Sequence, residues 1–161
     1  MTFRLFSNEL HDGGVLSQAH VLNDFGHHGE NRSPHIAWEG VPEGTKSLVL
    51  TMYDPDAPTG SGFWHWVVVD IPPQVTQLRA GAGSNSAPLP PGVRQTRTDR
   101  GTNGYVGAAT PPGQVHRFVF TLHAVSVDKL PVPDDASGAW VGFFTNMNKV
   151  GEARLTVTYG G

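Results

Sequence analysis

The chain has no cysteine in its 161 residues. That excludes disulfides, thiolate nucleophiles and cysteine-based zinc sites. Charge is also scarce: Asp, Glu, Lys and Arg make up 16% of the residues, and the net charge is −3. No basic block exists, so nucleic acid is not an expected partner. No Lys/Arg-rich amphipathic stretch is present to seek an anionic membrane surface. The longest apolar run lies within Phe63–Ile71 and is broken by His65 and Asp70. It is too short to cross a bilayer as a helix, so no integral membrane segment is expected. The opening Met1–Phe6 has no apolar signal core and no small-residue cleavage site, which points to the cytoplasm.

What the chain does have is 20 Gly and 13 Pro, the punctuation of short strands joined by turns. Its length fits one domain, residues 1–161, with no repeat and no linker. Phe3–Phe6, His35–Glu39, Ser47–Tyr53, Phe63–Ile71, His116–Val127 and Glu152–Tyr159 read as strands. Ser47–Tyr53 places Leu48, Leu50 and Met52 on one face. Strict alternation through Phe63–Ile71 places Phe63, His65, Val67 and Val69 on one face and Trp64, Trp66, Val68 and Asp70 on the other. Both faces are apolar, which predicts a central strand. Asn23–Pro34 and most of Pro72–Gly113 read as loop, and so long a loop in a compact domain usually builds a site. One peripheral helix is predicted over Ala136–Val150. Trp140, Phe143, Phe144 and Met147 fall there at helical spacing, Asp134 or Asp135 is placed to cap the start, and Lys149 and Gly151 suit the end. Trp38, Trp66 and Trp140 read equally as core or interface. The sum is a mainly β domain.

Three segments carry the candidate chemistry. Asp54-Pro55-Asp56-Ala57-Pro58 leaves a strand with two carboxylates on a loop stiffened by proline. The ordinary reading is a polar turn. Against it stands His65, placed between Trp64 and Trp66 in the most apolar strand, where a carboxylate from Asp54 or Asp56 could orient its ring. The third segment is the Gly-rich turn Gly104–Gly113 leading to His116-Arg117-Phe118. Converging backbone N–H groups make such a turn an anion nest. It is neither a Walker loop nor a dinucleotide fingerprint. Together the segments give a recipe for a small anion: a carboxylate-supported imidazolium and backbone amides on the oxygens, with aromatic and proline walls excluding water. Hydrogen bonds to charged groups contribute about 1.5–3 kcal/mol each, so a phosphate needs no arginine clamp.

At these residues the sequence resembles the phosphatidylethanolamine-binding protein family, whose animal members include the Raf kinase inhibitor protein, and it looks most like the short bacterial branch. The matching stretches are Asn31–Trp38, Ser47–Pro58, Phe63–Pro72, Gly104–Ala124 and the final Gly151–Tyr159. The resemblance implies a two-sheet antiparallel β fold with one or two peripheral helices. It also implies a pocket at the sheet rim for phosphate, acetate or phosphorylethanolamine-like groups. That pocket maps to Asp54, Asp56, His65, the Gly107–Ala109 backbone, Pro111, His116 and Phe118. Bacterial members are often dimers, so a homodimer is implied. Two departures stand out. The family's Gly-Pro-x-Pro-Pro loop is here Gly107-Ala108-Ala109-Thr110-Pro111, and a frequent Tyr is here Phe118. The kinase-binding role of animal members does not carry over.

The expected function is therefore non-catalytic binding of a small anionic ligand, with no cofactor and no metal. The alternative is a protein-interaction regulator or inhibitor that takes an acidic or phosphorylated peptide in the same pocket. An enzyme lacks support: there is no Gly-x-Ser-x-Gly elbow, and the pocket segments hold no Ser or Cys. His27-His28 near His35 do not make a metal-ligand helix pattern. Arg94–Arg100, with three arginines, reads as a solvated loop.

Overall fold

The computed structural model describes residues 1–161. Eight strands and one α-helix follow in chain order: β1 (Arg4–Phe6), β2 (Ile36–Glu39), β3 (Ser47–Asp54), β4 (Phe63–Ile71), β5 (Gln77–Leu78), β6 (Arg94–Gln95), β7 (Val115–Val125), α1 (Gly138–Asn148) and β8 (Lys149–Gly160). Two antiparallel sheets form, β1-β2-β5 and β6-β4-β3-β7-β8. Two single turns of 3-10 helix, Gln18–His20 and Ala82–Ser84, lie in the connections. The fold class is mainly β, as the strand pattern indicated.

The period of two builds the core. Leu48, Leu50 and Met52 of β3 and Phe118, Phe120 and Leu122 of β7 face the small sheet, where Leu5, Ile36, Trp38 and Leu78 meet them in a 22-residue cluster. The opposite face of the large sheet carries Val49, Val67, Val69 and Val125, covered by Leu130, Val132, Ala136 and Val141. This double cover, rather than a central position, makes β4 apolar on both faces. The strand lies one in from the edge, beside the two-residue β6.

Strict alternation along β4 fails twice. The β3–β4 register runs Met52↔Trp66 and then Tyr53↔Trp64, so His65 has no partner on β3. This extra residue turns the strand. His65 comes to the same side as Phe63 and the Phe118 face, together with Trp66 and Val68. Trp64 goes to the Val67 and Val69 side. A second shift separates Leu48↔Ile71 from Leu50↔Val68. Asp70 there has φ 61° and turns to Arg94 (2.6 Å) and the Leu130 N–H (2.9 Å).

The helix differs from its prediction in cap and in face. Ser137, not Asp134 or Asp135, caps it by accepting from the Trp140 N–H. The chain passes from Asn148 directly into β8 without a terminating glycine. The side that packs is the small one, with Gly138, Val141 and Thr145 buried, while Trp140, Phe143 and Met147 are exposed. Gly138 decides this: a Cβ there would lie 2.4 Å from the Trp64 ring, so only glycine lets the helix start so close to β4.

Candidate functional site

The cavity lies at the end of the large sheet where β3 leaves, the β4 register shifts and β7 enters. Asp54 is the last residue of β3 and is buried. Its Oδ1 accepts the Asp56 N–H at 2.9 Å, the local turn that Asp-Pro-Asp favours. Its Oδ2 accepts from His116 Nδ1 at 2.7 Å, and both side chains are 4% exposed. The carboxylate therefore supports His116, not His65. The reason is the pleat: Asp54 and His116 lie on neighbouring strands β3 and β7, on the core face. His116 Nε2 lies 2.7 Å from Gln114 Oε1, so both ring nitrogens are engaged.

His65 has a different support. Its Nδ1 is 2.8 Å from the Val106 carbonyl, and the Val106 N–H donates back to the His65 carbonyl at 2.9 Å. A carbonyl only accepts, so Nδ1 carries the proton. Nε2 makes no hydrogen bond within the protein. Burial pushes the His65 pKa down, against the opposing pull of the Val106 carbonyl and the Asp54 carboxylate. The ring is thus neutral at pH 7 and presents an Nε2 lone pair.

The Gly-rich turn is docked rather than open. Tyr105 Oη donates to the His20 carbonyl at 2.6 Å, the Leu22 N–H to the Ala108 carbonyl at 2.9 Å, and the Gly107 N–H to Asn31 Oδ1 at 2.7 Å. Gly107 therefore offers no free amide to a nest. Its function is close approach: a Cβ at Gly107 would meet the His20 carbonyl oxygen and the Leu22 nitrogen at 2.6 Å.

These residues enclose about 270 Å³, near the lower end for small-molecule sites. Of the eight residues predicted for the site, Asp54, His65, Ala109, Pro111 and His116 line it. Asp56, Gly107 and Phe118 stand behind it. Asp56 takes the Arg117 N–H (2.8 Å), Nε (3.0 Å) and Nη2 (2.8 Å), tying the Pro58 loop to β7. Arg117 pulls its carboxyl down to about 2. Phe118 supports the His65 ring edge-on, centroids 5.3 Å apart. Leu22, Pro58, Phe63 and Val106 add apolar wall.

Two lining residues, Phe25 and Arg100, fall in segments that read as loop. Only the arginine-rich composition of Arg94–Arg100 signalled that stretch, and its members have different roles. Arg94 Nε donates to Asp70 and its Nη1 to the Val132 carbonyl (2.8 Å), while Arg100 reaches the cavity. His35 is engaged with the Asn8 N–H and Gln77 Oε1. No group of three or more His, Asp or Glu side chains is arranged to hold a metal ion.

The family model described as phosphatidylethanolamine-binding protein matches residues 6–160. The chain belongs to the phosphatidylethanolamine-binding protein family. Its relatives in the family include the UPF0098 protein YbhB of Escherichia coli, 51% identical over 97% of this chain and 99% of that one. The crystal structure of E. coli YbcL, described as a member of the mammalian PEBP family, superimposes with a TM-score of 0.96 at 46% identity, covering 100% of this chain and 99% of that one. The carboxypeptidase Y inhibitor, solved with its cognate proteinase, gives a TM-score of 0.52 at 21% identity over 92% of this chain and 76% of that one, a likeness of fold alone.

Proposed function

We propose that this family member is a non-catalytic binding protein whose pocket takes a small anion of the phosphate or phosphorylethanolamine class. The observation that carries the reading is the pairing at the cavity floor. A buried Asp54–His116 pair stands beside His65, whose Nε2 has no protein partner, under apolar walls. No Ser or Thr hydroxyl is hydrogen-bonded to either histidine, which supports binding over nucleophilic catalysis. The family's own name supports the phosphorylethanolamine head group.

Because Nε2 of neutral His65 only accepts, an anion binds there with a proton, either carried on a phosphate oxygen or taken up by the ring. Gln114 leaves His116 Nε2 when a ligand oxygen takes its place. Calorimetric titration with inorganic phosphate and O-phosphorylethanolamine at pH 6.5 tests the reading. Saturable binding that His65→Ala abolishes supports it, and binding that persists in His65→Ala overturns it.

We also propose a homodimer. The exposed Trp140, Phe143 and Met147 on α1 support it, since contiguous apolar faces mark association sites.

A further inference from the structure

Arg100 is the one lysine or arginine among the residues that line the cavity. Its Nη2 donates to Asp24 Oδ2 at 2.6 Å, and its Nε and Nη1 donate to nothing in the protein. Its guanidinium carbon lies 5.2 Å from the centre of the Phe25 ring. Phe25 is held in an uncommon state: 74% exposed and at φ 53°, a left-handed backbone that bulky residues rarely adopt. Asp24 Oδ1 accepts the Phe25 N–H at 2.8 Å and fixes that turn. The Phe25 amide, and then Arg100, hold the Asp24 carboxyl below its usual range, so it stays charged against the guanidinium. One aspartate thus places both an aromatic ring and a half-satisfied cation at the cavity. Asp54, the cavity's acidic residue, is already committed to His116 and the Asp56 amide.

We propose that Arg100, steadied by Asp24 and Phe25, is a specificity residue for a second negative group on the ligand. The pocket then selects a phosphoryl compound that bears a carboxylate on its organic part over the same compound without one. This rests on the anion-pocket reading: the phosphoryl group sits with His65 and His116, and the carboxylate pairs with Arg100 through its free Nη1. A guanidinium N–H donates to a carboxylate in a short, charge-assisted hydrogen bond. O-phosphorylethanolamine, whose organic end is an ammonium, gains nothing from Arg100.

Calorimetric titration of the full chain at pH 6.5 and low salt tests this with three probes: inorganic phosphate, glycerol 3-phosphate and 3-phosphoglycerate. The last two differ in a hydroxymethyl against a carboxylate. The expected result is that 3-phosphoglycerate binds roughly tenfold more tightly than glycerol 3-phosphate, the effect of one charged hydrogen-bonded pair. Arg100→Gln removes that preference and leaves inorganic phosphate within about twofold, while Arg100→Lys keeps part of it. Equal binding of the two organic probes to the wild type overturns the proposal. So does an Arg100→Gln variant that weakens all three alike. If none of the three binds the wild type, the anion-pocket reading falls, and this inference with it. Competition by phosphatidylserine vesicles separates a lipid head group from a free compound as the source of the same chemistry.

Discussion

Asp54 and Asp56 stand two residues apart in one proline-stiffened loop and do different work. Asp54 is buried against His116. Asp56 is half-exposed against Arg117, whose own side chain is 59% exposed. Removing one partner of a buried, hydrogen-bonded pair leaves the other unpaired in a dry site. Asp54→Ala is therefore expected to cost about 3 kcal/mol in urea unfolding and to abolish phosphate binding. Asp56→Ala is expected to cost about 1 kcal/mol, because solvent screens that pair, and to weaken binding only by loosening the loop. Equal losses for the two variants would contradict this division. The sequence singles out both aspartates as candidates, because two carboxylates around a proline at a strand exit are a strong local signal, and the structure places Asp54 on the cavity lining and Asp56 behind it. Their partners were not legible. His116 and Arg117 lie about sixty residues downstream, and only the strand order β4-β3-β7 puts β7, rather than the bulged His65, beside Asp54.

At the scale of elements, the site depends on a register shift and a docked turn. The shift at His65 inserts one residue and aims the ring at the cavity. Nothing in Phe63–Ile71 announces it, since an apolar strand reads the same with or without an extra residue. The strands themselves were plain from alternation, but the face assignment beyond the shift could not be. Gly107 was legible as a turn glycine and not as a contact point, because the neighbour it must approach, the His20–Leu22 segment, is remote in sequence. Gly107→Ala is expected to push the turn away from that segment. The cost is about 1–3 kcal/mol, as for overpacking elsewhere, with loss of phosphate binding and changed amide signals for Val106 and Ala109. Wild-type stability and binding in Gly107→Ala would contradict close packing there. The helix gives the same lesson. Its aromatic stripe is the louder pattern, but Gly138 against Trp64 turns the smaller face inward.

For the molecule as a whole, the buried His65 and the half-buried His123 contribute to the response to acid. Burial lowers the pKa of His65 and brings that of His123 down to about 4. Both groups take up a proton less readily folded than unfolded, where they protonate near 6.5. The unfolded state then binds more protons as pH falls, so stability declines below about pH 6.5. For His123 the loss ends near pH 4 and amounts to about 3 kcal/mol at most. His123 Nδ1 is also buried without a hydrogen-bond partner, so His123→Gln is expected to flatten the decline between pH 6.5 and 4. An unchanged slope would contradict it. The exposed α1 stripe makes a second prediction at this scale. Sedimentation should show a dimer that Phe143→Glu converts to a monomer, and a wild-type monomer at all concentrations would refute the proposed homodimer.

The most direct test of the anion pocket is the protonation state of His65 observed by nitrogen NMR of its ring. In the free protein at pH 7, Nδ1 should be protonated and Nε2 bare. Saturating phosphate should bring a proton to Nε2 or its hydrogen bond, shift the His116 ring with the same midpoint, and leave His35 and His123 unmoved. If His65 Nε2 does not respond up to tens of millimolar phosphate, the cavity is not an anion site, and the central claim fails.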